Sequence, residues 1–261
     1  MRSSSAQMGW GACWISMRRF INILLISIAI TFLGLGILEL AKFAVIEKEN
    51  DELRQEVIEV PEAQPDGADP DDPLNRRIDF ESLQSINPDI KGWIYIPGTK
   101  IDYPILIGSY DQEYLSRDYR GDYLYAGSIF AYKNTDLKED SYVQLFGHNM
   151  ITKQMFGDLT KFQSQDFVDQ NPKMYIYLPH RTRVYSLASA FGCRYDDVIF
   201  TQEFEDLKDV SNNLMERSII QCDVSENTQQ IYTLATCQGY AGTPNRFTVS
   251  FFLETEKYVL D

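Results

Sequence analysis

The sequence predicts a mostly β domain, a barrel or a sandwich, tethered to a membrane by one N-terminal helix. Three observations lead there. Eight short runs rich in Ile, Val, Tyr and Phe, each bounded by Gly, Pro, Asn or Asp, fall between Trp93 and Leu253 and read as strands. Phe20 to Leu38 form one uncharged apolar stretch, which at about 1.5 Å per helical residue nearly spans a hydrocarbon core of roughly 30 Å. The segment between the two is acidic and punctuated by prolines. With 44% hydrophobic and 13% aromatic content in 261 residues, the chain can bury one sizeable core.

Residues 1–19 end in Arg18 and Arg19, whereas Glu39, Glu47, Glu49, Asp51 and Glu52 follow the apolar stretch. The positive-inside rule therefore puts the N-terminus in the cytoplasm and everything after the span outside. Residues 20–46 read as an uncleaved transmembrane anchor with its outer extension. The rival, a cleaved signal peptide, has a shorter apolar core of about 7 to 15 residues and a small-residue cleavage site, and no clear Ala-x-Ala follows the stretch. Residues 47–78 combine many carboxylates with Pro61, Pro65, Pro70 and Pro73, a composition that buries too little apolar surface to fold alone. A stalk is expected there.

The outer domain, residues 79–261, opens with Asp79-Phe80-Glu81-Ser82-Leu83-Gln84-Ser85-Ile86, a short helix with Asp79 as cap and Asn87-Pro88 as stop. Strands are predicted near Trp93 to Ile96, Tyr103 to Ile107, Gly127 to Tyr132, Tyr142 to Phe146, Lys173 to Leu178, Arg183 to Cys193, Gln230 to Thr236 and Arg246 to Leu253. Phe204, Leu207, Val210 and Leu214 recur at three or four residues and predict an amphipathic helix from about Gln202 to Arg217. A further short helix is expected after Met155-Phe156-Gly157-Asp158.

A net charge of −14 argues against a nucleic-acid partner, which needs a basic face to displace phosphate counterions. No tight His/Cys/Asp ligand cluster suggests a metal, and no cofactor is implied. Of the four cysteines, Cys13 falls on the cytoplasmic side, so only Cys193 and Cys222 are candidates for pairing outside if Cys237 stays free. Both also suit buried free thiols next to strand-like runs.

Cys237 closes the apolar run Thr233-Leu234-Ala235-Thr236-Cys237 and is followed by Gln238-Gly239-Tyr240-Ala241-Gly242. A strand end fixes a sulfur and a loop exposes it to substrate. A thiol titrates near 8.5 when unperturbed, so a nucleophilic cysteine needs a base or cation beside it. The chain has two histidines. His180, in Leu178-Pro179-His180-Arg181-Thr182, reads as a hairpin turn, whereas Gly147-His148 ends the strand Tyr142 to Phe146 and can present an imidazole. Arg246 starts the last strand nine positions after Cys237, close enough for a hairpin-like neighbour whose fork can hold a carbonyl or stabilise an oxyanion.

Thr233-Leu234-Ala235-Thr236-Cys237 resembles the Thr-Leu-x-Thr-Cys signature of the sortases, surface transpeptidases of Gram-positive bacteria. Ile86-Asn87-Pro88-Asp89-Ile90-Lys91-Gly92-Trp93-Ile94, Ile96-Pro97-Gly98-Thr99, Ile101-Asp102-Tyr103-Pro104-Ile105, Gly127-Ser128-Ile129-Phe130 and Gly147-His148-Asn149-Met150 are similar to class B sortase sequence, so the resemblance covers roughly Asp79 to the C-terminus. It implies a closed eight-stranded β-barrel with an N-terminal helical cap and an extra helix before the seventh strand. It further implies that Cys237 attacks a Thr carbonyl in a C-terminal sorting signal, that His148 relays protons and that Arg246 positions the signal, with Thr236, Ala235 and Gln238 as substrate contacts. The acyl acceptor it implies is an amine of a cell-wall precursor or a pilin lysine. Class B members often carry Ser and Glu where this chain has Ala235 and Gln238.

Two other readings compete. Gly192-Cys193-Arg194 is similar to part of the Gly-Cys-x-Arg region of L,D-transpeptidases, which would make Cys193 the nucleophile. A membrane-tethered binding module with a sortase-like barrel and no catalysis is the other.

Overall fold

The computed structural model describes residues 7–59, 72–201, 204–225, 227–239 and 242–258. They belong to two compact units divided in sequence between Asp51 and Glu52. The first holds most of α1, Gln7–Val57. Phe20 to Leu38 are exposed on every side of this helix. A helix that is apolar all round and buries none of that surface has the length and composition of a membrane span.

In the second unit the end of α1 is part of the folded domain. Leu53 and Val57, 2% and 0% exposed, pack in one cluster with Leu83, Ile90, Trp93 and Tyr177. β1, Ile58–Glu59, then pairs antiparallel with β2, Arg77–Ile78. Arg76 binds both oxygens of Asp102, at 3.0 and 2.8 Å, and Asp102 also accepts the Trp93 indole N–H at 2.6 Å. Composition alone suggested a stalk across residues 47–78; within the second unit, residues 52–59 and 72–78 of that segment fold because the domain supplies the apolar surface they lack. Its centre, residues 60–71, lies outside the described residues.

α2, Phe80–Ile86, starts where the sequence places it, with the Asp79 carboxylate accepting from the Ser82 N–H at 2.9 Å. Eight strands follow: β3 Ile90–Tyr95, β4 Asp102–Leu106, β5 Ile129–Phe130, β6 Tyr142–Phe146, β7 Lys173–Leu178, β8 Arg181–Arg194, β9 Ile231–Cys237 and β10 Asn245–Tyr258. They close a barrel in the order β10-β8-β7-β3-β4-β5-β6-β9. Two neighbouring pairs are parallel, β4 with β5 and β6 with β9; the rest are antiparallel. Pro179-His180 forms the turn of the β7–β8 hairpin.

Three expectations shift. β8 and β10 run beyond their apolar alternation because polar residues continue the ladder, with Arg183 opposite Glu256 and Arg181 bonded to Glu256 at 3.1 Å. β5 is shorter than the apolar run around it. Of the helix expected from Gln202 to Arg217, residues 202–203 lie outside the described residues and Phe204 to Asp206 are not helical: α4 is Val198–Thr201 and α5 is Leu207–Glu216, capped by the Asp206 carboxylate accepting from Asp209 N–H at 2.9 Å. A 3-10 turn, Gly157–Gln163, and α3, Gln165–Gln170, occupy the site of the other short helix. Val210 and Leu214 of α5 pack with Ile199, Phe191, Ile231 and Phe252. Covered outside by these helices and inside by the barrel core, β9 is buried along Ile231 to Thr236, which explains its unbroken apolar run.

Candidate active site

The site forms where three strands end together. β6 and β9 run side by side in the same direction with Phe146 opposite Ala235, so two residues further His148 and Cys237 reach the same level. Three hydrogen bonds fasten that end: Gly147 N–H to the Ala235 carbonyl at 3.3 Å, Thr236 Oγ1 to the Gly147 carbonyl at 2.8 Å, and Asn149 Nδ2 to the Cys237 carbonyl at 2.8 Å. On the other flank β10 pairs Arg246 directly with Cys237. Cys237 therefore sits between the imidazole-bearing and guanidinium-bearing strands.

Gly147 serves a close approach rather than a sharp turn. A Cβ there would lie 2.6 Å from Ile129 Cδ1 and 3.0 Å from the Phe156 ring, so a side chain would push the His148 segment off the barrel end.

Cys237, His148 and Arg246 line one cavity of about 200 Å³ with Ala235, Thr236 and Gly147. Its remaining walls are Gln112, Leu115, Phe130, Tyr132, Phe146, Tyr195 and Phe200. The Tyr132 and Phe146 rings meet at 4.5 Å, and burial, with Asp111 acting in the same direction and Arg246 against, raises the Tyr132 hydroxyl above its ordinary pKa. An apolar slot with a few convergent polar groups at its mouth is the usual form of a peptide or small-molecule site. None of those aromatic walls was marked as a site residue from the sequence, because Phe130 of β5, Phe146 of β6, Phe200 of α4 and the loop residues Tyr132 and Tyr195 are far apart in the chain and no local spacing links them.

Among the residues expected to touch substrate, Ala235 and Thr236 do line the cavity, although Thr236 is 2% exposed and spends its hydroxyl on Gly147. Gln238 does not. Its side chain folds over Gly192, whose Cβ position lies 2.9 Å from Gln238 Oε1. Gln238 lies just past the end of β9, where its backbone N–H is tied to the Asn245 carbonyl at 3.0 Å on the β10 flank.

Cys193 and Cys222 are free thiols, not a disulfide. Burial pushes Cys193 up to about 12, with the Asp197 carboxylate adding to it, and Cys222 up to about 11. Such thiols carry almost no thiolate near neutral pH. Among the described residues no group of three His, Cys, Asp or Glu side chains is placed to hold a metal ion.

A sortase-domain family model matches residues 94–251. Sortase B of Staphylococcus aureus (strain NCTC 8325 / PS 47) is 31% identical over 179 residues, 66% of this chain and 73% of that protein. Sortase B of Listeria monocytogenes is 31% identical over 166 residues, 62% of this chain and 68% of that protein. Among solved structures, a Staphylococcus aureus sortase B–substrate complex matches with a TM-score of 0.62 at 30% identity, covering 67% of this chain and 84% of that one. Sortase B from B. anthracis in complex with AAEK1 matches with a TM-score of 0.66 at 26% identity, covering 82% and 98%. With the family match running through the barrel to the cysteine that ends its seventh strand, the chain belongs to the sortase family, among the class B transpeptidases.

Proposed function

We propose that Cys237 attacks the Thr carbonyl of a C-terminal sorting signal on a surface protein. The carbonyl carbon bonds to sulfur and the peptide C–N bond breaks, while His148 protonates the departing amine. An incoming amine then attacks the thioester, gives a proton to His148 and displaces the sulfur. Arg246 holds the signal and stabilises the oxyanion formed in each half. Barrel closure holds the groups in place before substrate arrives, which is where positioning contributes most to rate.

The observation that carries this reading is the convergence of Cys237, His148 and Arg246 on one cavity from three strand ends. The acceptor is an amine of a cell-wall precursor or a pilin lysine. We assign Phe20 to Leu38 as a single-pass anchor in a Gram-positive cell membrane, the N-terminus in the cytoplasm and the barrel outside, on the basis of Arg18 and Arg19 before it and the acidic residues after.

The Cys193 alternative is disfavoured by the burial that pushes its thiol up to about 12. The test is mass spectrometry after mixing the protein with a library of five-residue signals and several amines. An adduct on Cys237 and transfer products are expected; binding without turnover across the library would favour the non-catalytic module.

A further inference from the structure

One loop braces the imidazole of His148 on two sides. Its Nε2 lies 2.8 Å from the Leu115 carbonyl, and a carbonyl only accepts, so this nitrogen bears hydrogen. The Tyr125 ring lies nearly parallel to the imidazole, with 13° between planes and 6.0 Å between centroids. Both contacts come from one stretch before β5, Leu115 from the 3-10 turn Glu113–Ser116 and Tyr125 from the loop that follows it.

The loop is tied down in ways that fix these two groups. Leu124 N–H donates to the Ser116 carbonyl and Ser128 N–H to the Tyr114 carbonyl, both at 3.0 Å. Ser128 Oγ reaches the Arg117 carbonyl at 2.9 Å, and the Asp118 carboxylate takes the N–H groups of Arg120 and Asp122 at 2.9 Å each. Gly127, at φ +58°, lies so close to the Leu115 carbonyl that a Cβ would sit 2.4 Å from its oxygen. Tyr125 itself is 59% exposed, so hydrophobic burial does not account for where its ring sits.

We propose that the Leu115 carbonyl and the Tyr125 ring position His148, keeping a proton on Nε2 and leaving Nδ1 as the nitrogen that gives and takes protons. The inference rests on His148 being the acid–base group assigned above. Nδ1–H passes its proton to the departing amine as the C–N bond breaks. Nδ1 accepts one from the incoming amine as the thioester C–S bond breaks, and Nε2–H stays on the Leu115 carbonyl throughout. Tyr125 keeps the imidazole plane from turning about that single hydrogen bond. It is a positioning residue, not a catalytic one.

The test uses the full-length chain in detergent. With only two histidines in the sequence, ¹⁵N-histidine labelling gives two pairs of ring-nitrogen signals, and His148→Asn assigns one pair to each ring. The neutral ring of His148 is expected to carry hydrogen on Nε2; hydrogen on Nδ1 overturns the proposal. Tyr125→Ala is expected to lower kcat roughly ten- to a hundredfold with KM little changed, while Tyr125→Phe, which keeps the ring, retains the parent kcat. An unchanged kcat in Tyr125→Ala, a change confined to KM, or an equal loss in Tyr125→Phe overturns the positioning role. Cys237→Ala separates this from the underlying reading: turnover surviving that substitution defeats the assigned chemistry, whereas its loss alongside an unaffected Tyr125→Ala defeats the brace alone.

Discussion

Arg246 is held by its own loop. Among the described residues, its Nη1 donates to the carbonyls of Thr243 at 2.7 Å and Asn245 at 3.0 Å, which sets the plane of the guanidinium and leaves its other donors to the cavity. Lysine keeps the charge but loses the planar fork. Arg246→Lys is therefore expected to lower kcat/KM by roughly a hundredfold, in the range of a lost oxyanion donor. Steady-state kinetics with a signal peptide checks it, and an unchanged value removes Arg246 from transition-state stabilisation. The two outer-domain strand cysteines give a second contrast. Cys193→Ala is expected to leave acyl transfer at the parent rate and Cys237→Ala to abolish it; native-state alkylation near neutral pH should label Cys237 and spare Cys193, a half-buried thiol that desolvation pushes up to about 12.

The helical cover over β9 is pinned by one ion pair. Asp197, just before α4, meets the Arg217 fork just after α5, at 2.8 and 2.6 Å. That hydrogen bond, with the backbone N–H of Ile199 helping against the burial cost, lowers the Asp197 pKa from its ordinary 3.8. A depressed carboxylate contributes stability that is whole above 3.8 and is lost as pH falls through the lowered value. Asp197→Asn is thus expected to lower the denaturation midpoint near neutral pH and to have little effect once the parent carboxylate is protonated. Denaturant titrations across that acid range check it; a difference that persists at low pH contradicts the sign. The Asp206 cap marks the start of α5, but the sequence reading followed apolar spacing alone and counted Phe204 into the helix. Phe204 is a loop residue whose ring meets Tyr142 edge-on at 6.4 Å. Apolar spacing reports burial, and a loop side chain in the core has the same signature.

Across the whole molecule, what the sequence showed was what short range determines. Alternation placed the strands, and the short link from Cys237 to Arg246 placed the guanidinium. The approach of His148 to Cys237 was not readable from spacing, because it depends on β6 and β9 lying parallel, a matter of barrel topology. Composition also hid the contribution of residues 52–59 and 72–78. A chain starting at Asp79 lacks Leu53, Val57, the β1–β2 ladder and the Arg76–Asp102 pair, and is expected to be less stable than one starting at Glu52. Losing a buried aliphatic side chain costs about 2–5 kcal/mol. Urea denaturation of the two chains measures the difference, and equal midpoints would show that the α1 end merely rests on the domain.

The pairing of β6 with β9 has a kinetic corollary. Asn149 and Cys237 are 88 residues apart in sequence, and contacts that distant form slowly because a long loop must close first. On the proposed chemistry, a nascent or half-folded chain therefore carries its sulfur without its imidazole, and reactivity is expected only with the completed barrel.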